Sequence, residues 1–171
     1  MAVTARLVRI EDVPVLADLL QTNREVLAPW DPVRSEDYFT VEGHRVVIDT
    51  ALEQYERGAA LPHVIVDDGR IILNTIVRCP FQSRSLGYWV GTADNGRGVA
   101  SAAVREIVRV AFQELGLHRV EVGTLLHNVA PQRVLERNGS VRFGIAPNYL
   151  NIAGVWQDHT LHQLVAHPDD T

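Results

Sequence analysis

Two hydrophobic rhythms, one of period two and one near 3.6, alternate along the chain, and the switches between them divide it into elements. "ARLVRI", residues 5–10, alternates as a first strand. Asp12 as a cap and Pro14 in the first turn then predict a helix through "PVLADLLQTN". "REVLAPWDPVRSEDYFT" carries two prolines and an aromatic cluster and reads as irregular. A second helix fits Val41 to Arg57 and stops at Gly58. "LPHVIVD", a turn at Asp67-Asp68-Gly69, and "RIILNTIVR" predict a β-hairpin, with "SRSLGYWVG" as the next strand. Apolar residues at 99, 103, 104, 107, 108, 111, 112 and 115 predict a long helix from Val99 to Leu115, ended by Gly116. "HRVEVGTL" reads as a strand, Ala130 to Asn138 as a short helix closed by Gly139, and "VRFGIAPNYL" with "VWQDHTLHQLVA" as a last hairpin. The order β-α-α-β-β-β-α-β-α-β-β describes a mixed α/β fold. No repeat, low-complexity tract or linker divides residues 1–171, so a single domain is expected.

Composition narrows the chemistry. The sixteen basic residues are all arginine. Without lysine there is no Schiff base to a pyridoxal cofactor, no Walker-A lysine and no kinase strand lysine. A net charge of −5 argues against direct nucleic-acid binding, which needs a basic face, and suits a cationic substrate. No apolar stretch is long enough for a membrane span, and charges interrupt the N-terminal "MAVTARLVRIEDV", so neither a membrane partner nor a secretory signal is expected. The single cysteine, Cys79, cannot form an internal disulfide, which fits a reducing cytoplasm. Cys79 precedes Pro80 and has no histidine signature nearby, so an acyl-cysteine route is not expected. His159 and His162 stand three apart, but on a strand they face opposite sides, and no metal site is expected.

The stretch "YWVGTADNGRGVASAAV" places Gly96 and Gly98 between a strand and a helix. The first turn of a helix offers unpaired N–H groups and a partial positive charge, and glycine lets the main chain approach a phosphate closely. Arg97 adds a mobile cation. Such a site is either a pyrophosphate cradle or simple turn chemistry. A Rossmann unit is disfavoured, because Ser101 stands where the third glycine belongs and Glu121 lies inside the next strand instead of at its end.

Extended, the loop reads Asn95-Gly96-Arg97-Gly98-Val99-Ala100, which resembles the acetyl-CoA loop Q/R-x-x-G-x-G/A of GNAT N-acetyltransferases. "HNVAPQRVLERNGS" resembles that superfamily's N-x-x-S-x-R-x-L-E-K-x-G-F segment. "NYLNIAGVWQDHTLHQL" and "NREVLAPWDPVRSED" resemble segments of the RimJ/RimL branch, which acetylates N-termini of ribosomal proteins. The resemblance runs from about residue 6 to 165. It implies a GNAT fold: a mostly antiparallel sheet of about seven strands flanked by about four helices. It also implies acetyl-CoA as co-substrate and transfer to a primary amine, with a protein N-terminal α-amino group as the leading acceptor. A small amine or antibiotic acceptor and a non-catalytic acyl-CoA-binding module are the alternatives, and the chain would act as a monomer or homodimer.

Carried over residue by residue, the resemblance implies that Asn95, Gly96, Arg97, Gly98, Val99, Ala100 and Ser101 hold the pyrophosphate loop. Trp89 and Val90 would lie on the strand that pairs with pantetheine, or Trp89 would be only core. Asn128 would bond the cofactor arm, or only cap the next helix, and Arg133 would sit near the phosphates. The positions that usually carry acid and base depart from the pattern: Pro131 replaces a serine, Leu135 a tyrosine, Gly123 a glutamate and Asn148 a carboxylate. Glu121, on the same strand face as Gly123, and His127 and Tyr149, flanking the expected thioester, are left as catalytic candidates. Direct transfer with a weak or water-relayed base is therefore expected. Trp30 and Tyr38, with Phe39, either line a substrate groove or form a satellite cluster under their loop.

Overall fold

The computed structural model describes residues 3–78, 83–88 and 98–166. Seven strands form one sheet: β1 (Val3–Leu7), β2 (Ala60–Asp67), β3 (Arg70–Arg78), β4 (Ser83–Tyr88), β5 (Arg119–Leu125), β6 (Val141–Ile152) and β7 (Val155–Val165). Their spatial order is β1-β2-β3-β4-β5-β7-β6, and every neighbouring pair is antiparallel except β4 with β5. The helices are α1 (Val13–Leu27), α2 (Val41–Glu56), α3 (Val99–Arg109) and α4 (Val129–Arg137). The predicted order of elements holds throughout.

Alternation along the strands sends apolar side chains to both faces, which is why helices cover both. On one face Val64 and Ile71 pack against Leu16 of α1 and Ile48 of α2. On the other, Ile65 and Ile72 meet Val99 and Ala103 of α3, while Leu86, Val120, Val122 and Leu164 pack with Val104, Ile107 and Phe112. Leu135 of α4 is fully buried in this second cluster.

Three local predictions are corrected. Asp12 does not cap α1; its carboxylate takes two bonds from the Arg6 guanidinium, at 2.7 and 2.8 Å, and one from the Arg9 N–H. A bidentate arginine on β1 outcompetes the helix N-terminus for the same oxygens. α1 also runs past Asn23 to Leu27, since Arg24 and Glu25 favour helix and Arg24 is held there by Glu36. Third, the predicted Val99–Leu115 helix is α-helical only to Arg109, and Val110–Glu114 continues it as a π turn. That wider winding brings Glu114, five positions on, within 2.8 Å of Arg109.

Candidate active site

The site begins as a failure of strand pairing. β4 and β5 are parallel and register only over Ser83↔Arg119, Arg84↔Val120 and Ser85↔Glu121. Beyond that β4 stays with β3 as far as Thr75↔Tyr88, and β5 stays with β7 as far as Leu125↔His159. The sheet therefore opens between Leu86 and Val122. Among the described residues, the facing backbone groups of the two strands have no ladder partners there, which is a place for a ligand that can supply them.

A cleft of about 350 Å³ lies at this opening, lined among others by Leu86, Gly123, Thr124, Asn128, Pro131 and His159. Its two sides differ. The start of α4 lines it on one face of the sheet, and α3 packs beside α4. Gly98 stands at the α3 N-cap with φ of 78°, a left-handed conformation that strongly favours glycine, and an added Cβ would meet no atom within 4 Å. Val99 is buried and Ala100 follows in the first turn, whose N–H groups precede the first helical bond, Ala102 N–H to Gly98 carbonyl. The Ser101 hydroxyl accepts from Asn138 at 3.1 Å, which ties the start of α3 to the end of α4. Trp89, Val90, Asn95, Gly96 and Arg97 lie outside the described residues, as does Cys79.

Asn128 occupies the N-cap position of α4, yet its side chain makes no capping bond. It lines the cleft instead, so the capping alternative gives way to one in which the amide is available to a ligand. Nearby, Gln132 donates to the carbonyls of Leu125 and Leu126 and fixes the strand-to-helix turn. Arg133 is exposed on α4 and has no partner among the described residues.

The opposite side is built from the α1–α2 connection and the β6–β7 hairpin. Trp30, Asp31, Pro32, Arg34 and Tyr38 line it together with Leu150, Ile152 and His159. The Ala153 N–H donates to the Asp31 carbonyl at 3.1 Å, so the two segments are latched to each other. Arg34 is paired with Asp31 and lies 4.8 Å above the Tyr38 ring. Burial pushes the Tyr38 phenol above its usual pKa, which keeps it neutral. Trp30 and Tyr38 thus line the cleft, and the Trp30 ring meets His127 in a tilted contact at 5.5 Å between centroids.

The three catalytic candidates occupy different settings. Glu121 shares a strand face with Gly123 but is paired with Arg119 at 2.5 Å and does not line the cleft. His127 is exposed beside Trp30. Tyr149 leans over Gly123, where an added Cβ would lie 3.4 Å from its Cε1. The same Cβ would lie 3.7 Å from His159 Cδ2, and the Tyr149 and His159 rings are 5.4 Å apart. His159 is the group that sequence reasoning missed. Pairing it with His162 as a possible ligand set hid the useful signal: on β7 its face is that of Gly123 and Leu125.

The departures at the usual positions have structural causes. Asn148 has φ of 47° inside the β6 irregularity and its N–H donates to Asp158, a backbone role that asparagine tolerates. Leu135 is wholly core.

A sheet splayed at a parallel pair, with a cleft at the gap and a glycine-led helix packed beside α4, is a layout suited to an acyl-CoA-dependent transferase. A model of the acetyltransferase (GNAT) domain matches residues 3–141, and the chain belongs to that family. It is 37% identical to the "Probable N-acetyltransferase YjcK" of Bacillus subtilis, covering 89% of this chain and 87% of that one. It is 32% identical to the ribosomal protein uS5-alanine N-acetyltransferase of Escherichia coli, over 97% and 88% of the two chains. Mycobacterium smegmatis RimJ, solved with a CoA-disulfide, superposes with a TM-score of 0.90 at 27% identity, covering 96% and 82%. The protein is an N-acetyltransferase of the RimJ/RimL kind.

Proposed function

We propose that the protein transfers the acetyl group of acetyl-CoA to the α-amino group of a protein N-terminus, with ribosomal-protein termini as the leading acceptors. The observation that carries this is the two-sided cleft. α3 and α4 present main chain and Asn128 to the cofactor arm. The other side offers aromatic and aliphatic walls and one internally paired acid, with room for a small first residue. Likeness to the uS5-alanine enzyme along nearly the whole chain supports the same acceptor chemistry.

Acetyl-CoA would enter between β4 and β5, its pyrophosphate against the first turn of α3 and its pantetheine along the unpaired strand edge, which Trp89 and Val90 extend. Arg97 and Arg133 would add positive charge near the phosphates. Donors along that edge would polarise the thioester carbonyl, which stabilises the oxyanion as the amine attacks. An α-amino group, with a usual pKa near 8, gives up its proton far more readily than a lysine side chain near 10.4. Orientation against Trp30 and Tyr38 would supply much of the remaining acceleration. The transfer is direct, from thioester to amine, with no acyl-enzyme.

Purified protein with acetyl-CoA and a hexapeptide beginning with alanine should yield one acetyl adduct, placed on the first residue by tandem mass spectrometry. An N-terminally blocked peptide carrying an internal lysine should remain unmodified. Acetylation of the lysine peptide alone, or of small amines alone, would replace this reading.

A further inference from the structure

We infer that His159 is the general base of the acetyl transfer, accepting the acceptor's proton at Nε2. The inference rests on the acetyl-transfer reading of the cleft but not on which amine is used.

His159 lines the cleft, is 3% exposed, and sits on β7 opposite Leu125, the last paired residue of β5 before the opening. Its Nδ1 lies 3.1 Å from the Gln157 carbonyl. A carbonyl can only accept, so Nδ1 carries a hydrogen, and in the neutral form of the ring the lone pair is then on Nε2. Nε2 is at the tip of the ring and has no hydrogen-bond partner among the described residues. The tautomer is thus held by the histidine's own strand, two residues back.

The surroundings single it out. Tyr149 from β6 lies 5.4 Å from the ring between centroids, and Asp31, Arg34 and Tyr38 of the α1–α2 connection line the same cleft. Asp31 is neutralised by two bonds from Arg34, at 3.1 and 3.4 Å. Tyr38 is held neutral by burial, and a phenol that keeps its proton is no base. From β5 the nearest charge is Glu121, which pairs with Arg119. Gly123 completes the arrangement: a methyl there would just touch the two rings.

The step balances within the site. One proton of the acceptor ammonium moves to Nε2, and the freed electron pair forms the N–C bond to the thioester carbonyl. The C–S bond then breaks with its pair on sulfur. The second amine proton passes to the thiolate, giving the free thiol and the amide, and the imidazolium releases its proton to solvent.

The test uses two acceptors, an N-terminal alanine hexapeptide and phenethylamine, so that a wrong acceptor class and a wrong base are read separately. His159→Gln should lower kcat/KM by ~10²–10⁴ with whichever amine is acetylated. Its calorimetric affinity for acetyl-CoA should not change. The wild-type rate should level off as pH rises, whereas the variant's should climb with the neutral fraction of the amine. His159→Asn serves if the first variant does not fold. ¹⁵N spectra of the wild-type imidazoles supply a readout that needs no acceptor: His159 should show a protonated Nδ1 and a bare Nε2. A loss below ~10-fold in a folded variant overturns the inference. So does an Nε2-protonated tautomer.

Discussion

The two sides of the cleft were built by different rules. On the α3–α4 side, the groups proposed to meet the cofactor are main chain and a few consecutive residues: the glycine turn, the first turn of a helix, and Asn128 at the head of the next helix. On the opposite side, separate segments of the chain make the site. Trp30, Tyr38, Tyr149 and His159 arrive from the α1–α2 connection, β6 and β7, and a backbone bond from Ala153 to Asp31 latches these segments together. A site made of main chain is written in a short motif. A site made of side chains from distant strands is written in registers. The first kind constrains the cofactor, which the family shares, and the second leaves the acceptor free to vary.

The sharpest way to break this comparison is at Gly98. Gly98→Glu should weaken acetyl-CoA binding by ~10²-fold or more, because a carboxylate beside a pyrophosphate meets like charge, worth several kcal/mol. The left-handed backbone would itself strain glutamate, so Gly98→Asn, which tolerates φ of 78°, separates strain from repulsion. Unchanged affinity in a folded Gly98→Glu protein, measured by calorimetry, would show that the cofactor does not approach α3.

A smaller effect is expected on the other side. Trp30→Ala should raise KM for an alanine peptide about 10-fold, the scale of one aromatic contact in a binding patch, and leave acetyl-CoA affinity alone. A parallel loss of cofactor affinity would mean that the two sides are not independent.

The smallest effect concerns acid. His44 of α2 is 1% exposed, lies 5.8 Å from the Tyr38 ring and, among the described residues, offers no hydrogen-bond partner to either nitrogen. Burial lowers its pKa, so the folded state resists a proton that the unfolded chain takes up near pH 6.5. Stability should then be full above that pH and decline below it, by about 1.4 kcal/mol for each pH unit while the folded-state ring stays neutral. Urea titrations at successive pH values should show that slope shrink in His44→Phe. The peptide KM should rise with acid before acetyl-CoA binding weakens.

Sequence periodicity placed every strand and helix, because alternation and the 3.6-residue rhythm record which face each element buries. It erred where a side chain had a choice of partners. Asp12 reads as a cap until Arg6, on a strand that precedes it, offers two donors. Asn128 reads as a cofactor contact or a helix cap until its amide is seen to make no capping bond. Asn148 reads as a lost carboxylate until its φ of 47° shows a backbone task.

The sequence by itself determined the element order, the glycine-led helix and the resemblance that pointed to acetyl-CoA, since each depends on residues within a turn or two of one another. Tertiary structure alone decided that β4 and β5 part after three pairs, that Tyr149 and His159 lie against Gly123, and that the Gln157 carbonyl lies 3.1 Å from Nδ1 of His159. Those facts follow from strand register and sheet opening. Both depend on how the whole core packs, so no local run of residues carries them.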